Sequence, residues 1–373
     1  MAYDTKTLFA SLVRVMSPAR NGLVSLFESR PGNVTEATEI EYDRIKEKAA
    51  TAYAKNRTGE TTMNGDNQFV NVTVKPPVYK ESCVFSMTEL EKRQPGYTKY
   101  AVGSPEQITA LSEFTAQKVG MLLKKIQRAE TLQVASILNS GTIPFLTGSF
   151  GKGLEDISFS APAGNFATVA NAAAATYYWD NTAALPLVML ETHCQTIRTN
   201  SAGRTRIRKI FLGKTALYWF LANASVQAAL DNLRLNRGLV DPRTFDEGSG
   251  IGYIGTFFLD GAMVDILTFD EEYSIGGAAL TPFLNAKSCY FIGDGEYEVF
   301  HAGIDTVRDV PGVDLSNIVG DAKGAVRMIS GTTAAMIYVF TSVKDNTVLL
   351  NVQKAPLYVP KTEDTFGRLT VLA

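Results

Sequence analysis

Two histidines, three cysteines and two tryptophans in 373 residues leave little from which to build a catalytic or metal centre. His193 stands beside Cys194 and His301 is far away, and neither has a second ligand at a metal-binding spacing. No G-x-S-x-G elbow is present, so structural roles are expected for both histidines. Cys83, Cys194 and Cys289 are odd in number and scattered, which excludes a disulfide framework and points to a reducing compartment. Charge of one sign is also lacking: 36 basic against 38 acidic residues give a formal −2, with no global polyanion-binding signature. No apolar run of about 18 residues occurs, so no membrane partner is expected. The opening MAYDTKTLFASLV lacks the basic head and long apolar run of a signal peptide.

Several motifs resemble chemistry by letter only. Gly213-Lys214-Thr215 sits between a strand pattern and a helix pattern, as a phosphate loop would. A Walker motif needs an earlier glycine where Arg208 stands, so a plain strand-to-helix turn is expected. Gly250, Gly252 and Gly255 match the dinucleotide spacing, but the following TFFLDGAMVDIL is a strand pattern with no helix to face a pyrophosphate. The carboxylates Asp260, Asp265, Asp270, Glu271 and Glu272 lack EF-hand spacing and read as a solvated surface or inter-subunit salt links. The basic run Arg198, Arg204, Arg206, Arg208, Lys209 and Lys214 reads as a solvated strand edge or as a surface for an anionic partner. It lacks the aromatics that stack on bases. No catalytic, cofactor-binding or metal residue is predicted.

The chain does contain one long uninterrupted helix pattern, residues 104–141. Ser104 suits the N-cap, Pro105 the first turn, and Gln107 completes a capping box, with Glu106 facing the helix dipole. Asn139, Ser140 and Gly141 are the stop signal. Some 35 residues make a rod of about 50 Å. Its apolar face runs through Val119, Leu122, Ile126, Gln133 and Ile137, and a strict heptad would place Lys118 and Lys125 in a core. A rod lying on a sheet or on another subunit is expected, with Glu106, Glu113, Lys124 and Arg128 on its other side.

Residues 1–37 carry short apolar patches broken by proline and glycine, an arm with no core of its own. Val70, Val72 and Val74 alternate with polar residues, predicting a strand with one apolar face. Asn64-Gly65 signals a tight turn, so residues 38–86 read as a two-stranded protrusion with a tip near 58–66, ended by Pro76-Pro77. A short helix is expected over residues 87–93, one helix over 181–200 and another over 215–229. Short strands dominate after residue 200, giving an α+β class with antiparallel sheets.

Taken in order, these stretches resemble a known family: LVSLF, IEYDRIKEK, PPVYKES, TELEKRQPGY, KKIQRAETLQVASILNSG, Trp179 and IFLGKTALYWFLAN. The chain is similar to the lambda-type major capsid proteins of tailed bacteriophages (major capsid protein E), which share the Hong Kong 97 fold. The resemblance implies an N-arm at 1–37 and an extended loop at 38–103. A peripheral domain at 104–189 and 286–354 would contain the spine helix, and an axial domain would occupy 190–285 and 355–373. The stretch 142–175 fits that plan least well. By the same resemblance the protein would be a structural, non-enzymatic component of a virion capsid, assembled in the host cytoplasm. It would form hexamers and pentamers of an icosahedral shell around double-stranded DNA. Scaffold and portal proteins would be partners, and in some family members a decoration protein. Asn64, Gly65, Val70, Val72, Val74 and Arg128 are the expected inter-subunit contacts. A nanocompartment shell protein with an enzyme cargo, or an enzyme with a hidden site, are the alternatives.

Overall fold

The computed structural model describes residues 22–35, 37–46, 68–86, 105–144, 156–173, 176–231, 238–244, 250–275, 277–304, 325–330, 333–342 and 347–373. The proposed tip with Asn64 and Gly65, the helix at 87–93, the Ser104 cap and the first 21 residues lie outside them.

Before the first helix come β1 (Glu28–Val34), β2 (Ile40–Lys46), β3 (Gln68–Val74) and β4 (Tyr79–Ser86). The rod is α1 (Pro105–Ser140), within one residue of the expected span at each end. Gly141 closes it at φ +70°, its amide donating to Ile137 O at 2.7 Å. A Cβ at Gly141 would stand 3.3 Å from the Phe166 ring, a tight contact, so the backbone favours glycine and the space adds to the preference. Then follow β5 (Thr142–Ile143), β6 (Ile157–Ser158), β7 (Phe166–Thr168), α2 (Pro186–Asn200), β8 (Ile207–Leu212), α3 (Lys214–Ala222) and α4 (Ala224–Asp231).

Two helix boundaries differ from expectation. The first starts at Pro186 rather than 181, because proline at N1 opens the helix. Asn181 instead makes a turn, accepting from the Ala183 amide at 2.9 Å. The second expected helix breaks at Asn223, whose backbone is extended. Asn223 Oδ1 accepts from the Ser225 amide at 2.9 Å, capping α4.

The remaining strands are β9 (Gly238–Thr244), β10 (Ile251–Leu259), β11 (Ala262–Phe269), β12 (Glu272–Tyr273), β13 (Thr281–Pro282), β14 (Ser288–Gly293) and β15 (Tyr297–His301). They end with β16 (Ala325–Ser330), β17 (Thr333–Ser342), β18 (Thr347–Lys354), β19 (Pro356–Pro360) and β20 (Phe366–Thr370). A seven-stranded sheet has the order β7-β20-β14-β8-β11-β10-β9, and a four-stranded one β16-β17-β18-β4. β1-β15-β19 form a third sheet. Its outer strand begins and ends in proline, a residue that edge strands tolerate. The sheets are not all antiparallel as expected: β8–β11, β7–β20 and β1–β15 run parallel. For β8–β11, the chain crosses over through α3 and α4.

Alternation splits the seven-stranded sheet between two cores. Phe211 and Tyr290 face one that takes in Val134, Ile137 and Leu138 of α1, Leu23 of the arm and Ile40 of β2. Ile210, Leu212, Cys289 and Phe291 face the other, roofed by α2, α3 and α4 around Trp179 and Phe220. β14 hydrogen-bonds between β8 and β20 in the middle of this sheet, so the expected domain boundary at 285/286 does not coincide with a sheet edge.

Candidate assembly surfaces

The residues that could mimic an active site are packing elements. His193 is buried on α2, its ring 4.6 Å from that of Phe291 and its Nε2 3.2 Å from Asn165 O. Burial lowers its pKa to about 4, so the imidazole is neutral at physiological pH. Burial also pushes the Cys194 and Cys289 thiols up, away from the reactive thiolate form. His301 is buried at the end of β15.

The glycine motifs resolve in the same way. At Gly213-Lys214-Thr215 the amides of Thr215 and Ala216 donate to Ala286 O at 3.1 and 2.9 Å, so this helix start is filled by backbone. A Cβ at Gly213 would lie 2.4 Å from Asn285 O, which explains the glycine without a phosphate. Gly252 and Gly255 lie within β10, where the register slips between Tyr253 and Gly255.

The basic run is answered by carboxylates of the same chain. Arg198 meets Asp260 at 3.0 Å, Arg204 meets Asp364 at 2.6 Å, Arg208 meets Asp294 at 3.0 Å and Lys214 meets Asp270 at 3.0 Å. Arg206 donates to Gly261 O at 3.4 Å. At least four of the six cations thus have internal counter-charges, and Asp260 and Asp270 of the 260–272 run supply two of these.

Of the expected contact residues, Val70, Val72 and Val74 do share one face of β3. β3 pairs antiparallel with β2, Val74 opposite Ile40, Val72 opposite Tyr42 and Val70 opposite Arg44. The inner end of that face turns onto the chain itself. Ile40 and Tyr42 are buried, Val72 and Val74 rest half-buried on the first core, and Val70 stays 44% exposed. A groove of about 510 Å³ opens beside it, with Tyr42, Val72, Val74 and Ile157 among its walls. Arg128 is exposed late on α1. Its charge reaches Glu271, whose pKa burial raises and Arg128 draws back down.

Other contacts were not predicted from the sequence. Glu130, two places along from Arg128, is buried and accepts from Lys354 Nζ at 2.9 Å and from Tyr358 OH at 3.4 Å. Gln133 Nε2 donates to Tyr79 OH at 2.7 Å, and Lys125 meets Glu81 at 3.2 Å. These contacts seat the rod on β4 and β18. Nothing local in the sequence marks a pair 224 residues apart. Exposed apolar side chains also stand out: Met121 on α1, Val84 on β4, and Phe258 opposite Met263 on β10 and β11. The strand pattern hides Phe258 and Met263, because their neighbours Phe257, Leu259, Ala262 and Val264 on the other face are buried.

A model of the family described as phage major capsid protein E matches residues 10–371. A search of curated proteins finds no match. Among solved structures, a prophage protein of E. coli CFT073 described as a capsid protein superposes with a TM-score of 0.62 at 12% identity, covering 100% of each chain. The capsid of cyanophage A-1(L) gives a TM-score of 0.48 at 12% identity over 96% of this chain and 95% of that one. The SrpI encapsulin of Synechococcus elongatus PCC 7942 gives 0.44 at 11% identity over 96% and 89%. The first of these similarities establishes the fold as that of the HK97-like capsid proteins.

Proposed function

The chain belongs to the phage major capsid protein E family, and from that membership we propose that it builds hexamers and pentamers of an icosahedral shell around double-stranded DNA. That it is a shell-forming capsid protein follows from the family itself. The finer statements rest on the family match over residues 10–371, taken with a two-stranded hairpin that shares no strand ladder with another sheet among the described residues. Val70, exposed on that hairpin, is the contact we assign to a neighbouring subunit, and Asn64 and Gly65, outside the described residues, are assigned with it. Arg128 would pair across the same kind of boundary or steady Glu271 within it. We infer that packing rather than catalysis is the work done. Scaffold, portal and decoration proteins would be partners during assembly in the host cytoplasm. The arm, extended loop, peripheral and axial regions would take the bounds given by the resemblance, with β7 and β14 counted into the axial sheet.

Sedimentation velocity and electron microscopy of the purified protein test this directly. Closed shells, hexamers or pentamers are expected. A monomer that never assembles, even with scaffold, would overturn it. Shells that hold an enzyme and no nucleic acid would instead assign the chain to nanocompartments.

A further inference from the structure

Residues 361–365 connect β19 to β20, and so join the three-stranded sheet to the seven-stranded one. Side chains of this short loop reach several different elements. Lys361 Nζ lies 2.9 Å from Glu298 Oε2 on β15. Glu298 also takes Arg30 Nη1 at 2.9 Å and Asn33 Nδ2 at 2.9 Å, both from the arm strand β1. Two residues along the loop, Glu363 Oε1 lies 2.8 Å from Arg44 Nε on the hairpin. Arg44 donates as well to Ser160 Oγ at 2.9 Å. Asp364 holds Arg204 beyond the end of α2 at 2.6 Å.

These are not loose surface pairs. The Glu298 and Glu363 side chains are 2% and 6% exposed, and removing one partner of such a pair leaves a charge stranded away from water. The two-stranded sheet β2–β3 shares no strand ladder with another sheet among the described residues. Its inner end is seated by Ile40 and Tyr42. Arg44 is the next residue outward on that same face of β2, which makes it the outermost described tether. The arm strand, through Glu298, and the hairpin, through Glu363, are therefore fastened to the same loop two residues apart.

We propose that residues 361–365 are a mechanical junction that couples the arm strand to the hairpin, so that loosening one loosens the other while both cores stay closed. The loop cannot follow the hairpin through Glu363 without shifting Lys361, and Lys361 shares Glu298 with Arg30 and Asn33. This inference goes beyond the shell-forming reading and does not depend on it, since every contact lies within one chain.

Hydrogen exchange read by mass spectrometry on the full-length protein tests it. Arg44→Ala should speed exchange about tenfold in β2 and β3. It should also speed exchange in β1, which Arg44 does not touch among the described contacts, with α2 to α4 unchanged. Arg44→Ala with Glu363→Gln should loosen no more than Arg44→Ala alone, since the second change removes nothing that the first has left in place. Arg204→Ala breaks a neighbouring pair of the loop and should leave β2 and β3 alone. A rise confined to β2 and β3 would make Arg44 a simple tether and overturn the coupling. So would an unchanged hairpin, or an equal response to Arg204→Ala. Should Arg44→Ala unfold the chain, Glu363→Gln keeps the side-chain volume and gives the same readings.

Discussion

Phe291 and Val70 lie in regions of one chain that are held by different forces. Around Phe291 the seven-stranded sheet is roofed by α2, α3 and α4, and Trp179, Phe220 and Phe257 are at most 1% exposed. That region closes on itself by burying apolar area. Around Val70 the two strands share one ladder, keep an apolar side chain in water, and are fastened at Arg44 to Glu363 and Ser160. A two-stranded hairpin gains little stability alone. The contrast separates two properties that most single mutations confuse: the core decides whether a subunit exists, and on the reading proposed above the hairpin would decide whether subunits meet.

Substitutions can break that comparison or sharpen it. Phe291→Ala should cost about 4 kcal/mol, because its ring contacts are lost and the surrounding sheet cannot collapse into the gap. Urea unfolding of the soluble protein measures it, and a loss below about 1 kcal/mol would show that this core is looser than its packing implies. Lys354→Met should cost about 3 kcal/mol by leaving Glu130 buried and uncompensated. Adding Glu130→Leu should recover most of that loss, which a double-mutant cycle would read.

His193 gives the core a pH signature. Its folded pKa, lowered to about 4 by burial, lies under the ordinary value of 6.5. The unfolded chain therefore binds the proton more readily between those values. Stability is fully present above about pH 6.5 and is lost as pH falls toward 4, by about 3 kcal/mol in all. Unfolding followed across that window should lose this slope in His193→Gln, and an unchanged slope would place the titration elsewhere.

On the hairpin side the expected losses of stability are small. Val72→Asp should cost about 1 kcal/mol, since the side chain is only half-buried, yet it should abolish shells. Arg128→Ala should change the melting of the isolated subunit least, within about 0.5 kcal/mol. Reduced heat resistance of the assembled shell would be its mark, and shells as heat-resistant as wild type would end the contact role assigned to it.

The sequence made the rod legible because its signals are local. Pro105, the apolar stripe and Asn139-Ser140-Gly141 bound α1 within one residue at each end. The end of β3 before Pro76 was legible for the same reason. The break at Asn223 was hidden because the apolar pattern runs straight through it, while the side chain that caps α4 is one residue in that run. The parallel pairs β8–β11 and β7–β20 were hidden because adjacency in a sheet is set by crossovers, not by strand composition. The contact residues divide along the same line. Alternation placed Val70, Val72 and Val74 on one face, but could not say that its inner end rests on Ile40 and Tyr42. Nor could it join Glu130 to Lys354, or Arg44 to Glu363. The basic run looked like a surface for a partner only because its carboxylates, Asp260, Asp294 and Asp364 among them, arrive from later in the chain.

The measurement that bears most directly on the separation of core and hairpin is electron microscopy of Val70→Asp beside the wild type, with urea unfolding of both. The account predicts closed shells from the wild type, and from the variant soluble subunits of unchanged stability that form none. Normal shells from Val70→Asp would contradict it.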